Sequence, residues 1–267
     1  MVLPRTHPRQ ALKKCLRHAE SPTILGAMKR SDGRAADELR PVKIHPHYVE
    51  APAGSVLIEM GKTRVLCAVS VEETVPRWMR DQGVSGGWIT AEYSMLPCAS
   101  APRKPREVTR GRPEGRTQEI QRLIGRSLRA AVDLEKLGAR TLWVDCDVLQ
   151  ADGGTRAAAI TGASVALALA VRRLRQDAVL AEDPIRGLVA AVSAGLADGY
   201  ALLDLCYEED ARATVDMNAV MTDDGRFVEV QSSGEEATFL QRDLSRLIKL
   251  ASQGIAELTA IQKKALH

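Results

Sequence analysis

One stretch constrains the fold more than any other, because a strand, a pair of glycines and an apolar helix follow one another without a break. Apolar and polar residues alternate with a period of two from Leu142 to Val148, which predicts a strand. Gly153 and Gly154 follow the strand and allow backbone angles that are closed to other residues. The apolar run from Ala157 to Val171 then predicts a buried helix.

The glycine turn has two interpretations. In the first, free backbone N–H groups and the helix dipole at the helix start bind an anion, and Arg156 adds a planar, permanently charged group suited to phosphate. In the second, the turn is an ordinary strand–helix connection that Thr155 caps. The turn residues alone favour the second interpretation, so the rest of the chain has to decide between them.

The positions of histidine and cysteine exclude several kinds of site. All five histidines lie outside the stretch from Tyr48 to Leu266, so a Ser-His or Cys-His nucleophile would depend on the ends of the chain. The five cysteines are widely spaced and form no CxxC pair, which argues against structural zinc and for a reducing cytoplasm. Chemistry in the middle of the chain must therefore rest on carboxylates, arginines and the backbone.

The chain divides into a basic extension and one large domain. Residues 1–27 carry five Lys or Arg against a single Glu and show no sustained apolar period, so we expect a disordered N-terminal extension. Residues 28–267 are expected to form a single catalytic domain. The longest apolar run, Ile160 to Val171, is too short to span a membrane, and we expect no membrane partner.

Periodicity and turn residues predict most of the remaining elements. They are hairpins around Gly61-Lys62, Asp198-Gly199 and Asp223-Asp224-Gly225, a strand from Trp88 to Tyr93, a helix from about Thr117 to Leu137, a strand from Tyr200 to Tyr207, and a closing helix with a capping box of Thr238 and Gln241 and an interruption at Gly254.

Positive charge is concentrated between residues 101 and 130. Nine basic residues there face three acidic ones, so this segment carries +6 while the whole chain of 267 residues carries +3. Such concentration is typical of a surface that binds a polyanion. A solvated helix face, or contact with another subunit, explains the arginines of the helical part equally well. The proline-rich loop that contains Arg103 and Arg106 favours binding, and Arg116 lies at a second helix start.

Acidic residues cluster farther along the chain. Asp204, Glu208, Glu209 and Asp210 fall within seven residues, and Asp216 follows shortly after. Together with an arginine-rich phosphate site they suggest a divalent metal, whereas a solvated acidic loop is the plain alternative. A fully extended segment would hold Asp204 and Asp210 about 20 Å apart, so a shared ion requires a bend between them.

Taken together, these segments resemble ribonuclease PH, the family of bacterial phosphate-dependent exoribonucleases that trim transfer-RNA 3′ ends. The resemblance extends from about Met28 onward in one order. It rests on Gly33-Arg34, Leu39-Arg-Pro41, Gly54-Ser-Val56, Lys62 to Cys67, Gly87 to Tyr93, Met95-Leu-Pro97, Gly115-Arg-Thr117, Glu119 to Ile124, Leu128 to Leu134, Asp145 to Arg156, Asp204-Leu205, Tyr207, Glu209-Asp210, Asp216-Met-Asn218 and Glu229-Val-Gln231.

The resemblance implies a fold and an assembly. The fold is an α/β (α+β) domain of the ribosomal protein S5 domain 2 type, the ribonuclease PH fold, with mixed sheets and two βαβ-like halves. The family assembles as a ring of six subunits, a trimer of dimers. The implied partners are transfer-RNA precursors and other RNA 3′ ends.

The resemblance also assigns residues. It implies that Arg116, Gly154, Thr155 and Arg156 bind inorganic phosphate, that Asp204 and Asp210 are catalytic and hold Mg²⁺, and that Arg103 and Arg106 bind RNA. Two positions depart from the family pattern: Cys98 replaces an RNA-contacting arginine, and Ser94 replaces a glycine. These departures concern the grip on RNA and leave the phosphate site unaltered.

The implied reaction is attack of bound phosphate on the last internucleotide link, which releases a nucleoside diphosphate and is reversible. Asp210 either holds the metal or donates a proton to the departing oxygen. Two alternatives are a catalytically silent RNA-binding subunit of the same fold and a hydrolytic metal nuclease.

Overall fold

The computed structural model describes residues 30–267, except the side chains of Val108 and Arg110. The predicted basic extension, residues 1–27, lies outside the described residues.

The described chain contains nine strands and six α-helices. The strands are β1 (Val42–Pro46), β2 (Gly54–Met60), β3 (Thr63–Glu72), β4 (Trp88–Met95), β5 (Thr141–Gln150), β6 (Val189–Ala197), β7 (Tyr200–Leu203), β8 (Ala213–Thr222) and β9 (Phe227–Gly234). The helices are α1 (Arg77–Gln82), α2 (Gly115–Ala130), α3 (Leu134–Leu137), α4 (Thr155–Gln176), α5 (Tyr207–Asp210) and α6 (Gln241–Ala265), with a 3₁₀ turn at Glu107–Arg110.

The strands form two sheets, one in each half of the chain. The first sheet has the order β1-β2-β3-β5-β4, in which β4 and β5 are parallel and joined through α2 and α3. The second sheet has the order β7-β6-β8-β9 and is antiparallel throughout. The expected mixed α/β architecture is confirmed, and within the described residues the parallel βαβ crossover lies in the first half.

Helix α4 lies between the two sheets. It contacts β2, β3 and β5 of the first sheet and β6 of the second, and α6 packs beside it against β1, β6, β7 and β8. By length and composition α4 could cross a membrane, with a mean hydropathy of 1.4, but 83% of that window is buried inside the protein. Its apolar character is therefore explained by packing on both sides, and its N-terminus is held at a defined place between the halves.

Two predicted elements end earlier than expected. The helix predicted from Thr117 to Leu137 stops at Ala130, because the Asp133 side chain accepts hydrogen bonds from the backbone N–H groups of Glu135 and Lys136 and starts a new helix, α3. The strand predicted to reach Tyr207 stops at Leu203, because Asp204 has a φ of +52° and turns the chain into α5.

The start of the closing helix also differs from its prediction. The capping box of Thr238 and Gln241 is wrong: α6 begins after Leu240, whose backbone N–H donates to the Asp243 carboxylate over 3.1 Å. The predicted interruption at Gly254 is wrong as well. Gly254 lies inside a continuous helix and allows α6 to approach Leu203 and Leu39 closely.

Close packing of β2 on α4 depends on Gly54. A Cβ at this position would lie 2.2 Å from the Ala166 carbonyl oxygen and 2.5 Å from the Ala170 nitrogen. We expect Gly54→Ala to lower the free energy of unfolding by about 1–3 kcal/mol, since α4 is held from behind by the second sheet. Urea unfolding measures this change. Gly115→Ala is the control, because a Cβ there meets nothing within 4 Å, and equal midpoints for the two variants would contradict this account of the packing.

Candidate phosphate and metal site

The glycine turn has the geometry of an anion cradle. Gly153 and Gly154 have φ values of +72° and +63°, and Gly154 is the N-cap of α4 without a side chain to bond the first backbone N–H groups. Those N–H groups and the positive end of the helix dipole therefore remain available to an anion. Thr63 holds the turn from the first sheet: its hydroxyl donates to the Gly153 carbonyl over 2.7 Å and accepts from the Asp152 N–H over 2.9 Å.

Arg156 occupies the first turn of α4 and faces the second sheet. Its guanidinium donates to the Gln231 side chain on β9 over 3.1 Å and lies 3.5 Å from a carboxylate oxygen of Glu119 on α2. Thr155 is buried, and its hydroxyl pairs with the Tyr93 hydroxyl of β4 over 2.9 Å. These contacts place the start of α4 at the junction of α2, β4 and β9.

Arg116 lies in the first turn of α2, with an exposed side chain. The start of this helix is held by Glu107, whose carboxylate accepts from the Glu114 N–H over 3.0 Å and from the Thr117 hydroxyl over 2.6 Å. Arg116 therefore presents its charge beside an N-terminus that is already organised.

The basic loop that precedes α2 borders a cavity of about 290 Å³, whose wall includes Met95, Lys104 and Arg116. Arg103 and Arg106 are exposed in this loop, and neither makes an ion pair within residues 30–267. Cys98, one of the two departures from the family pattern, is also exposed. The loop therefore offers uncompensated positive charge next to Arg116.

Two carboxylates lie close to both arginines. Burial raises the pKa of Asp210, while the positive charges of Arg116 and Arg156 oppose that rise. Burial also raises the pKa of Asp216, the neighbouring Asp210 charge adds to the effect, and Arg156 and Arg116 again oppose it. The charges of the same two arginines lower the pKa of each carboxyl, and the charge of Asp210 raises that of Asp216. The four groups therefore belong to one site.

One oxygen of Asp216 is unsatisfied. The Asn218 side chain donates to Oδ2 of Asp216 over 3.2 Å, whereas Oδ1 is buried and has no hydrogen-bond partner in the described part of the protein. A buried carboxylate oxygen without a partner is costly unless a cation or donor joins it. Residues 30–267 contain no group of three or more His, Cys, Asp and Glu that could hold a metal, so an ion here would take its remaining ligands from water and substrate.

Asp204 is bonded within the protein, and its expected role in catalysis and metal binding stays a prediction. Its side chain is fully buried, and both carboxylate oxygens accept hydrogen bonds from Arg40: the backbone N–H and Nε bond Oδ2, each over 2.9 Å, and Nη2 bonds Oδ1 over 2.7 Å. The bend that a shared ion required is present as α5. However, both oxygens of Asp204 are bonded to Arg40, whereas Asp216 is the carboxylate whose pKa the Asp210 charge raises.

Asp216 belongs to a motif in the sequence that indicates no role for it, and no sequence feature marks Tyr93 or Gln231 as parts of the site. Asp216 and Asn218 sit two residues apart on β8, on the same side of a strand whose other residues are mostly buried. That pair of polar residues in an apolar strand was the available signal. No local pattern marks the contacts of Tyr93 and Gln231, which come from other strands.

Comparison with known proteins gives a consistent result. Residues 38–172 match the model of the 3′ exoribonuclease family, domain 1, and residues 187–254 match that of domain 2. A protein of Corynebacterium efficiens named ribonuclease PH is 59% identical over 244 residues, which is 91% of this chain and 99% of that protein. A protein of the same name from Solibacter usitatus is 56% identical over 238 residues, 89% of this chain and 99% of the other.

Solved structures agree with these matches. The Archaeoglobus fulgidus exosome with RNA bound to the active site contains a chain that is 28% identical, with a TM-score of 0.73 over 86% of this chain and 91% of that one. A chain of an archaeal exosome core is 26% identical, with a TM-score of 0.71 over 88% of this chain and 91% of the other.

The turn also depends on a close approach at Gly153. A Cβ there would lie 2.6 Å from the Leu205 carbonyl oxygen, so we expect Gly153→Ala to displace the turn and to lose most of its affinity for inorganic phosphate, measured by calorimetric titration. Gly199→Ala is the matched control: its φ of +82° carries the same left-handed cost, about 1–2 kcal/mol, but a Cβ meets nothing within 4 Å. Equal phosphate affinities for the two variants would refute the role of this contact.

Proposed function

The chain belongs to the 3′ exoribonuclease family that includes ribonuclease PH, a phosphate-dependent 3′–5′ exoribonuclease, and from this premise we propose how its residues carry out the reaction. The observation that carries the proposal is that Arg116 and Arg156 both act electrostatically on Asp210 and Asp216. Two cations for a phosphate and two carboxylates for a metal thus lie in one place, as transfer to a phosphate oxygen requires.

Inorganic phosphate is held at the start of α4. Gly154 and Thr155 offer backbone N–H groups, and Arg116 and Arg156 approach from the first turns of two helices. The arginines offset the repulsion between the incoming phosphate and the RNA phosphodiester, and they orient the attacking oxygen. This phosphate is the nucleophile, so the turn holds a co-substrate and leaves the RNA strand to other residues.

Mg²⁺ is the expected metal, and Asp210 and Asp216 would hold it. Their fit to a cation is supported by the unpartnered Oδ1 of Asp216 and by the raised pKa of both carboxyls, which reports carboxylates short of positive charge. Bound there, the ion supplies neutralising charge for the phosphoryl oxygens and for the departing 3′ oxygen.

The chemical step exchanges a phosphodiester bond of the RNA for the phosphoanhydride bond of a nucleoside diphosphate. An oxygen of the bound phosphate forms a bond to the phosphorus of the last internucleotide link, the bond to the 3′ oxygen breaks, and that oxygen takes up a proton. A nucleoside diphosphate leaves, and the shortened RNA ends in a 3′ hydroxyl. Because no water enters, the reverse reaction adds nucleotides from diphosphates to RNA ends.

The basic loop binds the phosphate backbone of the RNA. Arg103 and Arg106 are exposed and lack ion partners among the described residues, and the adjoining cavity leads to Arg116. Only nine aromatic residues occur in the chain, so stacking contributes little and binding depends on phosphates. The substrates are transfer-RNA precursors and other structured RNAs with exposed 3′ ends, in the cytoplasm.

The assembly is a homo-hexameric ring, a trimer of dimers. The similarity to exosome core chains supports a multisubunit arrangement. Residues 28–267 act as a single domain in it, since one hydrophobic cluster includes side chains from both sheets. A catalytically silent subunit of the same fold is not favoured, because this chain carries Arg116, Arg156, Asp210 and Asp216 in one site.

Removal of Arg156 tests the phosphate site. With a 3′-extended transfer RNA and Mg²⁺, we expect the wild-type protein to release nucleoside diphosphates only when phosphate is present. Arg156→Ala should lower that rate by about 10²–10³-fold, as loss of one group that binds developing charge does, with little change in thermal stability. Product chromatography measures both results.

Arg122→Ala is the matched control, because Arg122 is exposed on α2 and makes no ion pair in the described part of the chain; its rate should stay near wild type. Release of monophosphates without phosphate would instead identify a hydrolase, and no release at all would identify a silent subunit.

The pH dependence separates the two roles of Asp210. If both carboxylates hold Mg²⁺, they must be ionised, so kcat/KM rises with pH through the raised pKa values and the acid limb lies above the ordinary aspartate value of about 3.9. If Asp210 donates the proton, kcat/KM falls as pH rises through its pKa. We expect the first result, measured between about pH 4 and 9 at one fixed Mg²⁺ concentration below saturation, where protons and the metal compete for the carboxylates.

A further inference from the structure

The buried guanidinium of Arg40 joins the two halves of the protein beneath the phosphate turn. Arg40 is 4% exposed and Asp204 is fully buried. Besides its bonds to Asp204, Arg40 donates from Nη1 to the Asp152 carbonyl oxygen, at the start of the turn. Its Nη2 lies 2.8 Å from where a Cβ on Gly154 would stand. Arg40 therefore touches the turn of the first half and the end of β7 in the second.

Asp204 lies at the point where the chain leaves β7 and enters the acidic segment. Its φ of +52° is uncommon for a residue other than glycine and carries a steric cost. Arg40 bonds both carboxylate oxygens of Asp204. The backbone N–H of Asp204 donates to the Ser193 carbonyl oxygen over 2.7 Å. These bonds hold the bend that directs the chain into α5, which ends at Asp210.

The segment after Asp204 also touches the turn directly. Residues 205–207 lie against Gly153, and the Tyr207 N–H donates to the Asp152 carboxylate over 3.3 Å. The start of α4, which carries Arg156, and the segment that carries Asp210 are thus packed against each other above Arg40. A change in the Arg40–Asp204 pair would alter the distance between them.

We propose that Arg40 and Asp204 are positioning residues for phosphorolysis: their ion pair sets the distance between the phosphate site on α4 and the carboxylates of the second half. Neither residue contacts substrate, because both are buried beneath the turn. The inference rests on the proposed function, and it gives Asp204 a role in the reaction that differs from metal binding.

The geometry predicts which substitutions matter. Lysine at position 40 keeps the charge but has one nitrogen, which cannot bond Asp152 and both oxygens of Asp204 together. Asparagine at position 204 keeps the shape and loses the charge. Breaking a buried pair also lowers stability, so the test needs a control variant that is destabilised at a buried site in contact with neither the turn nor Arg40. Gln262 suits this purpose, since its buried amide donates to the Thr161 and Val189 carbonyl oxygens.

The experiment compares Arg40→Lys, Asp204→Asn and Gln262→Leu with wild type. For each protein kcat, the KM for phosphate and the KM for RNA are measured at a temperature well below its Tm. We expect Arg40→Lys and Asp204→Asn to raise the KM for phosphate and lower kcat, together by about 10–100-fold, because displacements of about 1 Å have effects of this size. The KM for RNA should change less than about twofold, and Gln262→Leu should leave all three constants near wild type despite its lower Tm.

Hydrogen exchange gives a readout independent of activity: the amides of residues 153–156 should exchange faster in Arg40→Lys than in Gln262→Leu. Unchanged constants and exchange in Arg40→Lys would overturn the inference. So would failure of both Arg40→Lys and Asp204→Asn to fold, since the pair would then serve the fold as a whole. A wild-type protein without phosphate-dependent release would instead refute the proposed function.

Discussion

The burial of α4 between two sheets is the constraint on which the site depends. A helix of 22 residues packed on both sides cannot rotate or slide without disturbing both halves of the core. Its N-terminus is therefore fixed where the two halves meet. The glycines at 153 and 154 end the preceding strand at this junction, and their positive φ values leave the first N–H groups of the helix open. Rigid packing thus fixes the positive end of the helix at the junction of the two halves.

The charges at this junction favour the binding of ligands and lower the stability of the protein without them. Burial raises the pKa of both Asp210 and Asp216, the Asp210 charge raises that of Asp216 further, and one oxygen of Asp216 lacks a partner among the described residues. Such uncompensated groups are typical of functional sites, because a ligand that supplies the missing charge is bound strongly. The pair Arg40–Asp204 shows the opposite case: its hydrogen bonds are made within the protein, and it stabilises the scaffold.

Much of the local structure could be predicted, because it depends on neighbours in the chain. The strand before the glycine turn, the hairpins and the helix after the turn all follow from period and turn residues. The errors came from single side chains that act over one turn. Asp133 starts a new helix where the pattern predicted a continuous one, and the left-handed backbone of Asp204 ends a strand early. Both are polar residues whose alternative backbone states a period cannot reveal.

The sequence by itself determined the residue types of the site: a glycine turn before an apolar helix, arginines at two helix starts, a basic loop, acidic residues in the second half, and no histidine between them. Tertiary structure alone decided which carboxylates face the arginines. Asp204 and Asp216 are each six residues from Asp210, so spacing along the chain cannot separate them. Asp204 is buried by its left-handed bend and its ion pair with Arg40. Asp216 is brought near Asp210 by the pairing of β8 with β6 in the second sheet. Contacts between distant segments make that choice, because electrostatic energy depends on distance in space and not on separation in sequence.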